Sequence, residues 1–218
     1  MIRRVVAIDG AAGSGKSTLA RGLALALGIP YINTGLMYRG LTAAALRHGI
    51  DLEDEATLVA LLDDLRFTLS GTSPPELEVE GYAEGALTTR DVELTVSTVA
   101  RHRGVRERMR ILQRSIGMEG AVMEGRDIAT VVFPDASVKL FLIADEAERT
   151  SRRARERWGT DPTDVAEVLR LRDARDARTN PLEPSSGAIV IDTGALDVEA
   201  ALAEALGIVR AAWSEENT

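Results

Sequence analysis

Residues 10–17 read Gly-Ala-Ala-Gly-Ser-Gly-Lys-Ser, the spacing G-x-x-x-x-G-K-[ST], and no other stretch restricts the fold so tightly. A loop of this kind needs a strand before it and a helix after it. Its glycines let backbone N–H groups converge on phosphate oxygens, and the helix N-terminus adds the positive end of its dipole. Both flanks are present. Residues 5–8, Val-Val-Ala-Ile, are apolar and mostly β-branched, as in a strand covered on both faces. Leu19, Leu23 and Leu27 recur every four residues and give one apolar stripe to a helix that Gly28 and Pro30 end. The lysine is informative in itself. Of 26 lysines and arginines only Lys16 and Lys139 are lysine, so a slim ammonium is kept where a planar guanidinium fits the cradle less well. Gly10, Ala11, Ala12, Gly13, Ser14, Gly15, Lys16, Ser17 and Thr18 are therefore assigned to the phosphates of a nucleoside triphosphate. Lys16 serves the β- and γ-phosphates, and the Ser17 hydroxyl serves Mg²⁺.

Beyond this loop, short apolar runs alternate with helical patterns. Residues 29–33, 121–123, 138–142 and 188–191 read as strands, and 36–48, 51–65, 105–116, 146–157, 163–178 and 197–212 as helices. This alternation predicts an α/β chain with a five-stranded parallel sheet between two helical layers. Residues 66–69 and 77–81 break the rhythm. They alternate around a Gly/Ser/Pro turn and predict a small antiparallel hairpin, so 64–92 reads as an insertion.

Composition removes several functions. A length of 218 residues suits one substantial domain. With no cysteine there is neither a disulfide framework nor a Cys-ligated zinc, and two histidines argue against a His-based metal site. A net charge of −8 opposes general nucleic-acid binding, and a 4% aromatic content supplies no base-stacking platform. The apolar run behind Met1-Ile2-Arg3-Arg4 stops at Asp9, too short for a signal segment, and no later run reaches membrane-spanning length. A cytoplasmic protein that engages neither membrane nor nucleic acid is the expectation.

A second set of residues suits another anion. Asn33-Thr34-Gly35 ends the second strand, and Tyr38-Arg39 follows one turn into the next helix, where a hydroxyl and a guanidinium can grip a phosphate. A capped helix carrying a surface arginine is the competing reading. Glu124-Gly125-Arg126-Asp127 stands at the carboxyl end of a strand, where parallel-sheet sites form. A carboxylate there can order Mg²⁺ or its waters while Arg126 reaches a phosphate; a tight turn with an ordinary ion pair is the alternative. Residues 149–157 hold five arginines, and 172–178 alternate arginine with aspartate. Such segments supply the guanidiniums of a water-excluding lid, although helical ion pairing produces the same pattern.

Taken with Ile8-Asp9-Gly10, the segment from Thr34 to Arg39 (Thr-Gly-Leu-Met-Tyr-Arg) and that from Glu124 to Ala136 (Glu-Gly-Arg-Asp-Ile-Ala-Thr-Val-Val-Phe-Pro-Asp-Ala) resemble the bacterial cytidylate kinases. The resemblance runs from about residue 3 to 210. It implies a P-loop nucleoside monophosphate kinase, transferring the γ-phosphoryl group of ATP to CMP or dCMP with Mg²⁺ and yielding CDP or dCDP. A single domain is implied, with 1–33, 95–145 and 179–218 as core, 34–94 as the monophosphate-binding region and 146–178 as a short helical lid. A monomer is expected.

Carried over position by position, the resemblance puts Thr34, Tyr38, Arg39 and Arg126 around the CMP phosphate and sugar. Ser97, Arg106 and Asp127 become the cytosine-reading group, and Arg172 and Asp176 contact sugar and phosphate. Lys16, Arg126 and Arg153 become the catalytic cations, and Glu124 a magnesium partner through water. Glu124 stands where many members have aspartate, Ala129 where they have glycine, and Thr179 where they have arginine, with Arg178 beside it. The alternatives are a P-loop kinase for another monophosphate or small metabolite, and a nucleotide-dependent regulatory module.

Overall fold

The computed structural model describes residues 4–156 and 183–215, the side chains of 153–156 and 215 excepted. The expected helix at 163–178, with Arg172, Asp176, Arg178 and Thr179, lies outside the described residues, as does the side chain of Arg153.

The strands are β1 (Val5–Gly10), β2 (Tyr31–Asn33), β3 (Phe67–Ser70), β4 (Glu76–Val79), β5 (Ala121–Gly125), β6 (Val138–Ile143) and β7 (Ile189–Asp192). They form one sheet in the order β3-β4-β2-β5-β1-β6-β7. The expected five parallel strands are its body, since β2, β5, β1, β6 and β7 pair parallel in succession. The strand count needs correcting from five to seven. The β3–β4 hairpin, antiparallel within itself, lies against β2 through Tyr31 opposite Glu76. An open β2 edge would leave backbone groups unpaired. Here the Tyr31 amide donates to the Pro75 carbonyl at 2.8 Å. Arg21 adds a bidentate pair with Glu76, at 2.8 and 3.0 Å. The insertion is thus part of the sheet.

Helices α1 (Lys16–Leu27), α2 (Thr34–Arg47), α3 (Glu55–Asp64), α4 (Glu84–Leu87), α5 (Arg90–Ala100), α6 (Arg103–Gly117), α7 (Glu146–Glu156) and α8 (Val198–Glu215) complete the described elements, with one π-helical turn at Ile128–Val132. The helix expected from residue 51 begins at Glu55, because the Asp54 carboxylate caps it by accepting from the Thr57 amide at 3.1 Å. Helices α4 and α5 were not legible in the alternation pattern. Residues 90–100 are rich in valine and threonine, which weaken helix propensity. Yet Thr89 at the N-cap, Asp91 and Glu93 in the first turn, and Val92, Val96 and Val99 on one buried stripe are helix signals.

β1 divides the core. Val5 and Ala7 join Ile32, Met37, Leu58 and Met109 under α2, α3 and α6, whereas Val6 and Ile8 join Leu19, Leu23, Leu140 and Val209 under α1 and α8. Alternate side chains of one fully buried strand therefore cement two helical layers. The carboxyl ends of β1, β2 and β5 (Gly10, Asn33 and Gly125) emerge along one edge between those layers.

Candidate active site

The loop after β1 has the backbone its glycines require. Gly10 has φ +149° and its pro-side-chain position faces the Leu142 carbonyl oxygen; Gly13, at φ +77°, would put a Cβ 2.8 Å from the Arg149 carbonyl oxygen. Larger residues are excluded by space as well as by torsion. Lys16 opens α1, and its Nζ donates to the Ala11 carbonyl at 2.6 Å, folding the ammonium over the loop. Behind the loop, Thr193 Oγ1 donates to the Ser14 carbonyl at 2.9 Å and in turn accepts from Arg152 Nη1 at 3.0 Å. Arg149 Nη1 reaches the Ala12 carbonyl at 3.2 Å. Thus Arg149 and Arg152, at the start of the expected lid, are the α7 arginines that meet the loop among the described side chains.

A cleft joins this loop to the second set of residues. Ala12, Gly13, Lys16 and Ser17 form one wall; Thr34, Tyr38 and Arg39 of α2 with Ser97 and Arg106 form the other; Glu124, Arg126 and Asp127 lie between them. Gly10, Ala11, Ser14, Gly15 and Thr18 stand behind or beside that lining, Ser14 buried and Thr18 exposed.

Each element holds its side chains for a reason. Thr34 Oγ1 donates to the Glu124 carbonyl at 2.7 Å and ties the start of α2 to β5. Arg39 is only 8% exposed and is paired at 3.2 Å with Glu93 of α5, itself 4% exposed. A buried guanidinium needs such an anion close by, because desolvation penalises the lone charge. Arg106 Nη2 meets Asp127 Oδ2 at 3.2 Å, both side chains still partly open to the cleft. Tyr38 is half-buried in the cleft lining, and desolvation, followed by the nearby Asp127 charge, pushes its phenol well above the usual range, so it is neutral.

Glu124 is 3% exposed and accepts a short hydrogen bond from the Tyr31 hydroxyl. Burial and the Glu124 charge raise the Tyr31 phenol, which keeps it a donor. At the end of β1, Asp9 accepts from the Ile128 amide at 2.9 Å and the Ala129 amide at 2.8 Å. Burial pushes its carboxyl up to about 6, against the pull of those two donors.

Sequence reasoning singled out the cleft's main cations and hydroxyls, but not Glu93, Tyr31, Thr193 or the structural role of Asp9. Their partners are remote along the chain, so no local spacing reports them. Among the described residues, no group of three or more His, Cys, Asp or Glu side chains could hold a metal ion by itself.

The whole-chain comparisons agree with this geometry. The family model described as "Cytidylate kinase" matches residues 6–211. The chain is 40% identical over 216 residues to the cytidylate kinase of Methylocella silvestris, covering 95% of this chain and 94% of that protein. It is 42% identical over 204 residues to the cytidylate kinase of Bacillus pumilus, covering 89% and 90%. The crystal structure of an uncharacterized protein from Eubacterium ventriosum superposes with a TM-score of 0.51 at 16% identity, covering 96% of this chain and 99% of the other, a likeness of fold alone. With a phosphate loop facing a buried arginine pocket and a family match over nearly its whole length, this chain belongs to the cytidylate kinase family.

Proposed function

We propose that the protein transfers the γ-phosphoryl group of ATP directly to a phosphate oxygen of CMP or dCMP, producing ADP with CDP or dCDP. The observation that carries this reading is that Lys16 lines the same cleft as Arg39 and Arg106. Two polyanions can meet there only if cations on both sides neutralise them.

In this reading the loop amides and Lys16 bind the ATP phosphates, while Thr34, Arg39 and Arg126 hold the CMP phosphate, Tyr38 packing beside them. Arg126 and Lys16 stabilise charge on the group in flight, with Arg153 and other lid arginines assisting. Ser97, Arg106 and Asp127 read cytosine; Arg172 and Asp176 contact the sugar and phosphate. The acceptor is a phosphate oxygen already largely ionised near neutral pH, so no strong base is needed. Residues 1–33, 95–145 and 179–218 act as core, 34–94 as the monophosphate side and 146–178 as lid.

Ser17 and Glu124 both line the cleft, and a hydroxyl with one buried carboxylate suits a magnesium ion that keeps waters and takes phosphate oxygens as its other ligands. When bound, Mg²⁺ neutralises phosphate charge. The chain's own contribution is to present the Ser17 hydroxyl and, through the Tyr31 hydroxyl, to hold the Glu124 side chain in place.

The proposed enzyme is a cytoplasmic monomer acting on small nucleotides, with no nucleic-acid or membrane partner; the net charge of −8 is in keeping with that substrate class. No helix among the described residues is long and apolar enough to cross a membrane.

A coupled assay with ATP and CMP, dCMP, UMP and AMP tests the reading. CMP and dCMP are expected to exceed UMP and AMP in kcat/KM by at least about tenfold, the effect of one unmatched buried hydrogen bond. Equal use of AMP would favour another monophosphate kinase, and no turnover with any acceptor a regulatory module.

A stability measurement tests the arginine pocket. Glu93→Ala is expected to lower stability by about 1–3 kcal/mol, because it strips a buried guanidinium of an anionic partner. Excess CMP is expected to raise the Tm of this variant more than that of the parent, since its phosphate supplies Arg39 with a new anion. Identical Tm gains would exclude Arg39 from phosphate binding.

A further inference from the structure

Asp127 occupies the N-cap position of the π-helical turn at Ile128–Val132, where an aspartate ordinarily folds back to accept from its own turn's amides. It makes no such bond. The first two amides of the turn are instead taken by Asp9, reaching across from the end of β1 with one carboxylate oxygen on each, at 2.9 and 2.8 Å. At the far end, Arg114 of α6 donates to the Val132 carbonyl at 2.6 Å and the Val131 carbonyl at 2.9 Å. An anion at the amide end and a cation at the carbonyl end both suit the dipole of the turn. Relieved of capping, the Asp127 carboxylate faces the cleft and meets Arg106.

We propose that Asp9 is a positioning residue for substrate selection: by capping the 128–132 turn in place of Asp127, it frees the Asp127 carboxylate to face the base of the monophosphate. The geometry stands on a carboxylate that is 4% exposed, with both oxygens engaged, one residue before the phosphate loop begins. It rests on the reading that Asp127 recognises cytosine.

Asp9→Asn preserves shape but turns one acceptor into a donor facing an amide; Asp9→Ala removes both acceptors. In either variant Asp127 is expected to swing back and cap its own turn. The KM for CMP is expected to rise about tenfold, the preference for CMP over UMP to fall by a similar factor, and the KM for ATP to stay within about twofold. Because Asp9 acts through Asp127, adding either change to Asp127→Ala is expected to cost no further selectivity. A folded variant that retains the parent's selectivity, or equal losses for ATP and CMP, would overturn the proposal. A parent enzyme with no preference between CMP and UMP would instead overturn the cytosine reading. Should neither variant fold, hydrogen exchange on the unaltered protein decides it: the Ile128 and Ala129 amides are expected to exchange at least about tenfold more slowly than exposed amides, and unprotected amides would refute the cap.

Discussion

Lys16→Ala is expected to lower kcat on the order of 10³-fold or more while leaving the fold intact. The side chain is half-buried at the N-terminus of α1, and in this structure its ammonium rests on the Ala11 carbonyl. A carbonyl is a weak partner for a full charge, so arriving phosphate oxygens displace it without breaking any contact of the hydrophobic core. Negative charge on the migrating phosphoryl group then finds a cation already in place, where water would have to reorganise. The loop backbone is held independently by its glycine torsions and by Thr193 on the Ser14 carbonyl, so the Tm is expected to move by only a few degrees. Steady-state kinetics with CMP and ATP, alongside a melting curve, check both halves. Lys16→Arg is expected to fall nearly as far, because a planar fork cannot replace a point charge over that loop. An active, folded Lys16→Ala enzyme would contradict the assignment.

Asp127→Ala is expected to reduce the preference for CMP over UMP by at least about tenfold, with ATP binding nearly unchanged. Cytosine presents an amine donor where uracil presents a carbonyl. A carboxylate held by Arg106 at 3.2 Å accepts from the first and confronts the second, acceptor against acceptor. Removing it eliminates both the favourable contact and the clash, so CMP loses more than UMP does. The ratio of kcat/KM values for the two substrates measures the effect, and titration with an ATP analogue checks the other wall of the cleft. Equal losses for both pyrimidines would remove Asp127 from base recognition.

Glu93 and Asp9 show why parts of the site were hidden. Arg39 could be read as a phosphate ligand because it sits one turn after Thr34-Gly35 at the end of a strand. The anion that keeps it buried, Glu93, lies on a helix that the valines and threonines of 90–100 concealed. In the sequence Asp9 only marks where the apolar run of 5–8 stops, and its hydrogen bonds reach amides 119 and 120 positions away. The hairpin at 67–79 was recognisable by alternation, but its attachment to the β2 edge depends on Pro75 and Glu76 meeting Tyr31 and Arg21. The arginines of 149–157 present a similar case. Their number was plain, but only packing of α7 on the loop singles out Arg149 and Arg152.

What the amino-acid order determined alone was local: the strand–loop–helix at residues 5–27, the α/β alternation, and the residue types able to hold two phosphates. Glycine torsions, apolar periodicity and charge act over a few residues, and those can be read along the chain. Tertiary structure decided which charges are buried, which carboxylates face the cleft and which cap a turn, and how many strands share the sheet. Those outcomes depend on desolvation and on hydrogen-bond partners that only the folded chain brings together.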